Sequence, residues 1–164
     1  MIKVTGYYWR DYDANDIPKD AILGGTDGKG NTYVGQTAHP YGGFLPGEIS
    51  AVDKIMYYVL DSKVYSTSLD VKILCSQQPE KLQWIPAKGN DKFSDFKNKN
   101  FILGGHIDND TQLIGRIKLE NGVLAVGRIE TSNDVFSIID VRTTSSAGPY
   151  EVLVSNINDS ENKI

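Results

Sequence analysis

Residues 21–49 read AILGGTDGKGNTYVGQTAHPYGGFLPGEI, and the pattern returns without a gap at residues 101–129 as FILGGHIDNDTQLIGRIKLENGVLAVGRI. The offset is a constant 80 residues, and each glycine of the second stretch falls on a glycine of the first. A fixed period of this kind is typical of repeat architectures. Positions that both copies keep are therefore candidates for scaffold, and positions that differ are candidates for a binding site.

Each copy contains a pair of adjacent glycines, Gly24–Gly25 and Gly104–Gly105. Within a strand pattern, glycine indicates a β-bulge or a close approach of two backbones, because a side chain would clash there. We expect this structural role for both pairs. A phosphate-binding loop is excluded, since Leu23 stands where a Walker motif needs glycine.

Short runs rich in β-branched and aromatic residues dominate the chain, separated by Gly, Asn, Asp or Pro. No window shows a sustained apolar period of 3.6 residues, so we predict an all-β, antiparallel fold with little helix. Strands are predicted at TYVGQTA, KIMYYVL, DVKILC, VFSIIDV and YEVLV. Turns are predicted at residues 27–31 and 108–112, at Pro46–Gly47, and as a type I′ hairpin at Asn121–Gly122.

The repeat also sets the expected domain organisation. We expect a first repeat over residues 1–75, a second over 76–154 and a polar tail over 155–164. Each repeat alone would be marginally stable, so the two should share a core or exchange strands in one compact pseudo-twofold unit. Trp9 and Trp84 open the two copies, and we expect them in the core or as wedges between the repeats.

Composition excludes several classes of function. The net charge is −4 and the pI is about 5.1, and without a clustered basic surface we expect no nucleic-acid binding. No apolar run is long enough for a signal peptide or a membrane span. A cytoplasmic location is expected, with secretion by another route left open. The single cysteine, Cys75, lies in an apolar run and is interpreted as a buried thiol.

The sequence gives no support to catalytic or metal chemistry. The two histidines, His39 and His106, have no nucleophile motif beside them. A calcium-binding EF-hand loop beginning at Asp27 or Asp108 would need glutamate at its twelfth position, which Ala38 and Leu119 occupy. We therefore expect neither enzymatic activity nor a metal or cofactor.

The differences between the copies indicate candidate binding residues. The first copy carries Asp27 and Glu48 where the second carries Ile107 and Arg128. Together with nearby rings, the two carboxylates would form a shallow patch of the kind that hydrogen-bonds vicinal hydroxyls of a sugar. The rings are those of Tyr33, His39 and Tyr41. The alternative is that both carboxylates are ordinary solvated turn residues.

The chain resembles the DM-nine repeat family, usually found as two tandem copies. The resemblance rests on a Trp, the series P-x-x-A-I-x-G-G-x-D-x-x-G-N-x-Y-V-G-x-x-x-H, then P-G-x-I and a closing Y-E-V-L-V strand. It covers nearly the whole chain, and the second copy keeps mainly the glycines and the final strand. The matching residues are Trp9, Pro18, Ala21, Ile22, Gly24, Gly25, Asp27, Gly30, Asn31, Tyr33, Val34, Gly35, His39, Pro46, Gly47, Ile49 and Tyr150 to Val154.

The resemblance implies an all-β, pseudo-twofold fold with intertwined repeats. It also implies lectin-like behaviour, because a member of the family is a dimeric mannose-binding lectin of invertebrate immunity. In that lectin the sugar is held by the Asp after the paired glycines and by a Lys after the Pro-Gly pair. The Asp corresponds to Asp27, whereas Glu48 stands at the Lys position. In the second copy these two positions are Ile107 and Arg128.

We therefore expect a non-enzymatic carbohydrate-binding protein with a glycan or mannose-like monosaccharide as its partner. The expected ligand-binding residues are Asp27, Glu48, Gly47, Tyr33 and His39 in the first copy and Arg128, His106 and Asp108 in the second. The rival hypothesis is an interaction or self-assembly module with vestigial sugar pockets, which the reversed charge at Glu48 favours. A homodimer and a role in innate recognition of glycans are further expectations that follow from the resemblance.

Overall fold

The computed structural model describes residues 6–89, 91–96, 99–131, 136–140 and 149–156. These residues form fourteen strands and two short 3-10 helical turns, at Pro79–Lys81 and Phe93–Phe96, which confirms the predicted all-β class. The strands are β1 Tyr8–Asp11, β2 Leu23–Thr26, β3 Asn31–Ala38, β4 Phe44–Ser50, β5 Ile55–Leu60, β6 Lys63–Thr67, β7 Lys72–Cys75, β8 Leu82–Ala87, β9 Asn100–Phe101, β10 Leu103–Ile107, β11 Asp110–Lys118, β12 Leu124–Glu130, β13 Ser137–Asp140 and β14 Tyr150–Ser155.

The turn predicted at Pro46–Gly47 is wrong, because both residues lie in the middle of β4. Pro46 is opposite Gln36 of β3, whereas the pairing of β4 with β5 begins only at Glu48. A strand tolerates proline where its missing N–H has no ladder partner to serve. The sequence therefore continues as a strand through a dipeptide that usually marks a turn.

The Asn121–Gly122 hairpin is longer than the predicted type I′ turn. Residues 119–123 connect β11 to β12, and the Leu119 amide donates to the Val123 carbonyl at 2.8 Å. A type I′ turn needs positive φ at both central residues, but of this pair only Gly122 has it, at 83°. Instead, the Asn121 side chain accepts the Val123 amide at 3.1 Å and holds the turn from within.

The two repeats are built in the same way. Strands β2 to β5 form an antiparallel meander in the first, as β10 to β13 do in the second. The last strand of each repeat then pairs with the second meander strand, β7 with β3 and β14 with β11. Strands β1 and β8 pair with these last strands, placing Trp9 opposite Leu74 and Trp84 opposite Leu153. The pairing scheme therefore repeats from the first copy to the second.

Two reciprocal bridges join the repeats. Thr26 of β2 pairs with Leu124 of β12, and His106 of β10 pairs with Phe44 of β4. Thr26 and His106 are equivalent under the 80-residue offset, as are Phe44 and Leu124. The joint therefore follows the pseudo-twofold symmetry, and the predicted intertwined arrangement is confirmed.

The paired glycines make this joint possible. A Cβ atom on Gly25 would lie 2.2 Å from the Leu124 carbonyl oxygen, and one on Gly105 would lie 2.1 Å from the Phe44 carbonyl oxygen. The ladder also shifts register at each glycine pair. Both expected roles, a bulge and a close backbone approach, are therefore confirmed.

Side-chain hydrogen bonds repeat the same symmetry. Gln36 Nε2 donates to the Gly104 carbonyl at 2.6 Å, and the equivalent Arg116 donates through Nη1 to the Gly24 carbonyl at 3.0 Å. The Arg116 guanidinium also lies 4.3 Å from the centre of the Trp84 ring. Each repeat thus binds the glycine carbonyl of the other.

The buried core has three parts. Two apolar clusters belong to one repeat each, and a third takes side chains from both. The members of the third cluster are Ile22, Val34, Leu74, Ile102, Ile114, Val126 and Leu153. Trp9 and Trp84 pack against it, as expected of core or wedge residues. The repeat limits at residues 75 and 154 stay a prediction, and residues 157–164 of the expected tail lie outside the described residues.

Candidate functional site

Asp27 lies in the turn between β2 and β3. Its Oδ1 accepts the backbone amides of Lys29 at 2.8 Å and Gly30 at 2.9 Å, and its Oδ2 accepts the Ser50 hydroxyl at 2.7 Å. A short carboxylate suits this place because it can bind the backbone two residues further on. The side chain is therefore held in one orientation before any ligand arrives.

Two opposing effects set the ionisation of Asp27. Burial would raise the pKa of this carboxyl, but the Ser50 hydroxyl and the Lys29 and Gly30 amides together outweigh it and lower the pKa below the ordinary 3.8. Asp27 is therefore ionised at neutral pH. A carboxylate offers about four acceptor positions. Two donors already bind Oδ1 and one binds Oδ2, so Oδ2 can take one more.

Glu48 is a buried member of β4 and has only 1% of its surface exposed. Its Oε1 accepts the Val126 amide of the second repeat at 3.1 Å, so the carboxylate helps to join the repeats. The expectation of a solvated turn position is wrong for this residue, because Pro46 and Gly47 continue the strand. Gly47 is scaffold as well, since a Cβ atom there would lie 2.3 Å from the Tyr57 carbonyl oxygen.

Asp27 and Glu48 nevertheless approach the same face of the sheet. Thr32 pairs with Ser50 and Val34 pairs with Glu48, so the side chains of Thr32, Glu48 and Ser50 lie on one face of β3 and β4. Residues two apart on a strand are separated by about 7 Å, and Ser50 is hydrogen-bonded to Asp27. We call Asp27, Thr32, Glu48 and Ser50 the first-repeat polar cluster.

Thr32 is the member of this cluster with an unmet hydrogen bond. The residue is fully buried, and its Oγ1 has no hydrogen-bond partner in the part of the chain that the structure describes. Leaving a buried hydroxyl unpaired costs about 1–3 kcal/mol. Atoms of this kind are uncommon in folded proteins, and the hydroxyl of Tyr12 is the other one among the described residues.

The structure does not bring Tyr33 and His39 together with Asp27. Tyr33 points to the opposite face of β3 and packs against the apolar core of the first repeat. His39 follows the far end of β3, an eight-residue strand, which places it roughly 25 Å from the turn that carries Asp27. The shallow patch expected from the sequence is therefore not formed as one surface.

In the second repeat, Arg128 occupies the position equivalent to Glu48. It is 4% exposed, and its Nη1 donates to Gln112 Oε1 at 2.8 Å and to the Glu130 carboxylate. Its Nε donates to the Val59 carbonyl of the first repeat at 3.2 Å. Gln112 and Glu130 are equivalent to the two buried hydroxyl residues of the first copy. Protein side chains thus satisfy one another on this face.

His106 and Asp108 lie elsewhere. His106 is exposed on β10, where its ring meets Phe44 edge-on at 5.8 Å between centroids. Asp108 is exposed in the following turn, with a φ of 51°. The hydrogen bonds of Arg128 reach neither residue. The expected second pocket is therefore not assembled from these three side chains, and their roles as ligand contacts stay predictions.

Sequence reasoning missed Thr32, Ser50, Gln112 and Glu130. A signal was present, since Thr32 aligns with Gln112 and Ser50 aligns with Glu130 at the 80-residue offset. Residues two apart on a strand share a face, so the change at Ser50 belonged with the change at Glu48. Combining strand alternation with the comparison of copies would have found the cluster.

Metal ligands, membrane-spanning helices and a reactive thiol are the other features that could indicate a function. Across the described ranges, no three His, Cys, Asp or Glu side chains are grouped so as to hold a metal ion. The same ranges contain no helix that is long and apolar enough to cross a bilayer. Cys75 is fully buried, as expected, and burial raises the pKa of its thiol to about 11. A thiol with this pKa is a poor nucleophile at neutral pH.

Comparison with known proteins identifies a family. A family model described as DM9 repeat matches residues 27–139, which is more than half of the chain. No curated protein sequence gives a significant match. Among solved structures, the crystal structure of the nematode sperm cell motility protein MFP2B is similar at 14% identity, with a TM-score of 0.37. The match covers 94% of this chain and 51% of that one, so this chain spans about half the length of that protein.

Proposed function

The chain belongs to the DM9 repeat family, and from that premise we propose that it is a non-enzymatic carbohydrate-binding protein. Membership in this family is compatible with a non-enzymatic binding protein. The finer proposal is a lectin whose ligand is a neutral, mannose-like monosaccharide or a glycan that ends in one. The observation that carries it is the carboxylate of Asp27, which three hydrogen bonds hold in a partly exposed turn with one acceptor position left for a ligand.

The chemistry of this carboxylate suits a neutral polyol. A sugar hydroxyl can donate a hydrogen bond, and a carboxylate only accepts. Asp27 Oδ2 retains one acceptor position, and the negative charge of Asp27 would repel an anion. Because hydrogen bonds already fix Asp27, little conformational entropy is lost when a ligand hydroxyl binds it.

The second repeat does not offer the same chemistry. Ile107 stands at the position of Asp27, and the buried Arg128 guanidinium is hydrogen-bonded to Gln112 and Glu130. A ligand would have to displace these contacts before it could bind. We therefore expect one polar site of this kind in each chain, formed by the first repeat against the second.

Calorimetric titration with methyl α-D-mannopyranoside tests the proposal. Asp27→Asn keeps the size of the side chain and removes its charge, and a hydrogen bond to a charged group contributes about 1.5–3 kcal/mol. We expect the dissociation constant to rise at least about tenfold. Asp61→Asn, at an exposed position in the turn between β5 and β6, is the control and should bind like the wild type. Unchanged affinity in Asp27→Asn, or no saturable binding by the wild type, would refute the proposal.

One observation favours the rival function of self-assembly. Within the described strands, β6 pairs only with β5, and it exposes 48% of Val64 and 41% of Tyr65. Unprotected edge strands of this type can pair with another chain. The rival function is favoured if sedimentation shows that Val64→Lys dissociates an oligomer while calorimetry shows that Asp27→Asn leaves sugar binding intact. Three expectations stay predictions. They are a homodimer, a role in innate recognition of glycans, and a cytoplasmic location or secretion by another route.

A further inference from the structure

The end of β3 and β4 opposite Asp27 carries an exposed group of rings, which we call the aromatic corner. Its members are His39, Tyr41, Phe44 and His106. Tyr41 is 92% exposed and Phe44 is 41% exposed, and His106 is also exposed. The first three come from the first repeat, and His106 comes from the second. Both histidines of the chain therefore lie at one corner of the molecule.

Backbone contacts hold the aromatic corner in place. The His39 amide donates to the Gly43 carbonyl at 2.9 Å, and the Tyr41 amide donates to His39 Nδ1 at 3.1 Å. A Cβ atom on Gly43 would lie 2.1 Å from the His106 carbonyl oxygen and 3.2 Å from its Nδ1. The turn of the first repeat is therefore seated directly on His106.

The rings form two pairs around this turn. His39 and Tyr41 have centroids 5.8 Å apart at an interplanar angle of 57°, and Phe44 and His106 are also 5.8 Å apart, at 78°. Because His39 Nδ1 accepts the Tyr41 amide, Nε2 is the ring nitrogen that is left as a donor. The corner thus combines exposed apolar ring faces with a hydrogen-bond donor at a fixed position.

The architecture itself does not require these rings. The pseudo-twofold symmetry produces a second corner, where the equivalent turn meets Thr26 of β2. The residues that correspond to His39, Tyr41, Phe44 and His106 there are Leu119, Asn121, Leu124 and Thr26. That corner keeps the counterpart of the contact between Gly105 and the Phe44 carbonyl, since Gly25 meets the Leu124 carbonyl, whereas Val123 replaces Gly43. Four aromatic or imidazole side chains at the first corner are therefore an addition to the scaffold.

We propose that the aromatic corner is a separate carbohydrate subsite, which stacks the C–H face of a neutral pyranose on Tyr41 or Phe44. A hydroxyl of the same sugar accepts the hydrogen bond of His39 Nε2. The inference rests on the proposed carbohydrate-binding function but concerns other residues.

The aromatic corner and the first-repeat polar cluster are independent sites. Asp27 precedes β3 and His39 follows it, so the two sites are roughly 25 Å apart. A monosaccharide cannot reach both. Each site can consequently be removed by mutation while the other is observed.

The second repeat supplies the variant that tests the inference. Tyr41→Asn combined with Phe44→Leu gives the first turn the residues that already serve at Asn121 and Leu124. Resonance shifts are followed by NMR during titration with methyl α-D-mannopyranoside, and with the corresponding glucoside and galactoside. D-mannitol is the control ligand, because it has the hydroxyls of mannose without a ring face.

We expect at least one pyranoside to shift the ring protons of His39 and His106 in the wild type, and mannitol to leave them unchanged. The double variant should weaken this binding about two- to tenfold, which is the factor expected for an aromatic contact. Its amide shifts at Asp27 and Ser50 should match those of the wild type.

The inference is overturned if none of the three pyranosides shifts the His39 and His106 rings, if mannitol shifts them equally, or if the double variant responds like the wild type. Failure of the proposed function is a different result, in which the Asp27 and Ser50 amides do not respond while the corner does. Thermal unfolding of the double variant should match that of the wild type within a few degrees, because Tyr41 is almost fully exposed.

Discussion

Gly105→Ala tests whether the glycine pairs hold the two repeats together. An alanine Cβ at this position would lie 2.1 Å from the carbonyl oxygen of Phe44 and 2.7 Å from its carbonyl carbon. Real Cβ atoms do not approach backbone atoms so closely, and a carbonyl within a sheet cannot rotate away as a side chain can. The substitution must therefore separate β10 from β4 at the bridge between His106 and Phe44.

The expected loss of stability follows from this geometry. Forcing extra atoms into a well-packed site costs about 1–3 kcal/mol, and we expect about 3 kcal/mol because the clash is with backbone. For a chain of this size, each kcal/mol lowers the melting temperature by about 2–4 °C. The midpoint of thermal unfolding should therefore fall by roughly 6–12 °C.

Gly122→Ala is the matched control. Gly122 has a φ of 83°, and no atom lies within 4 Å of the position that its Cβ would take. The cost there is conformational, about 1–2 kcal/mol for an alanine in the left-handed region. Thermal and urea unfolding followed by circular dichroism would measure both variants. The reasoning is refuted if Gly105→Ala is no less stable than Gly122→Ala.

Three further predictions concern the other buried groups. Arg128→Met should destabilise the protein by about 2 kcal/mol, because it leaves the buried acceptors Gln112 Oε1 and the Val59 carbonyl without their donor; an unchanged midpoint of urea unfolding would contradict this. The Cys75 thiol, whose pKa is about 11, should react with a disulfide reagent at pH 8 far more slowly in the native protein than in urea, and equal rates would show that it is accessible. The pKa of Asp27 is lower in the folded protein than the ordinary 3.8, so its ionisation stabilises the fold above pH 3.8 and this contribution disappears as the pH falls through the folded value. The stability difference between wild type and Asp27→Asn should accordingly shrink below pH 3.8, and a difference that stays constant in acid would rule out the inferred role of the hydrogen bonds.

The scaffold was largely predictable because the duplication separates the residues that both copies keep from the residues that differ between them. Gly24 and Gly25 recur as Gly104 and Gly105. Their role is structural because a side chain at any of these positions would clash with the opposite repeat. The strands around them follow from side-chain composition and turn residues. Local signals failed where a long-range contact decides the conformation. Pro46–Gly47 continues as a strand because β3 pairs with it along its length, and no local pattern reports that pairing.

The candidate site was predicted only in part because it is formed between the repeats. Asp27 could be found from its place after the glycine pair, but the partner of Glu48 is an amide of Val126, 78 residues away. His39 and His106 were assigned to different pockets, although Gly43 seats the turn of the first directly on the second. The sequence offset identifies equivalent positions, whereas these contacts join positions that are not equivalent. Such contacts depend on how the two copies are placed against each other.

The asymmetry of the copies follows from a symmetry of the backbone. The joint is made by glycines, carbonyl oxygens and reciprocal bridges, which both repeats retain. Side chains on the adjoining face are thus free to diverge. In the second repeat Arg128 donates to Gln112 and Glu130, and its Nε also donates to the Val59 carbonyl across the joint. In the first repeat Glu48 accepts the Val126 amide across the joint, while the Thr32 hydroxyl has no partner among the described residues, at a cost of about 1–3 kcal/mol. Both faces therefore help to hold the repeats together, and they differ in which of their polar groups are satisfied.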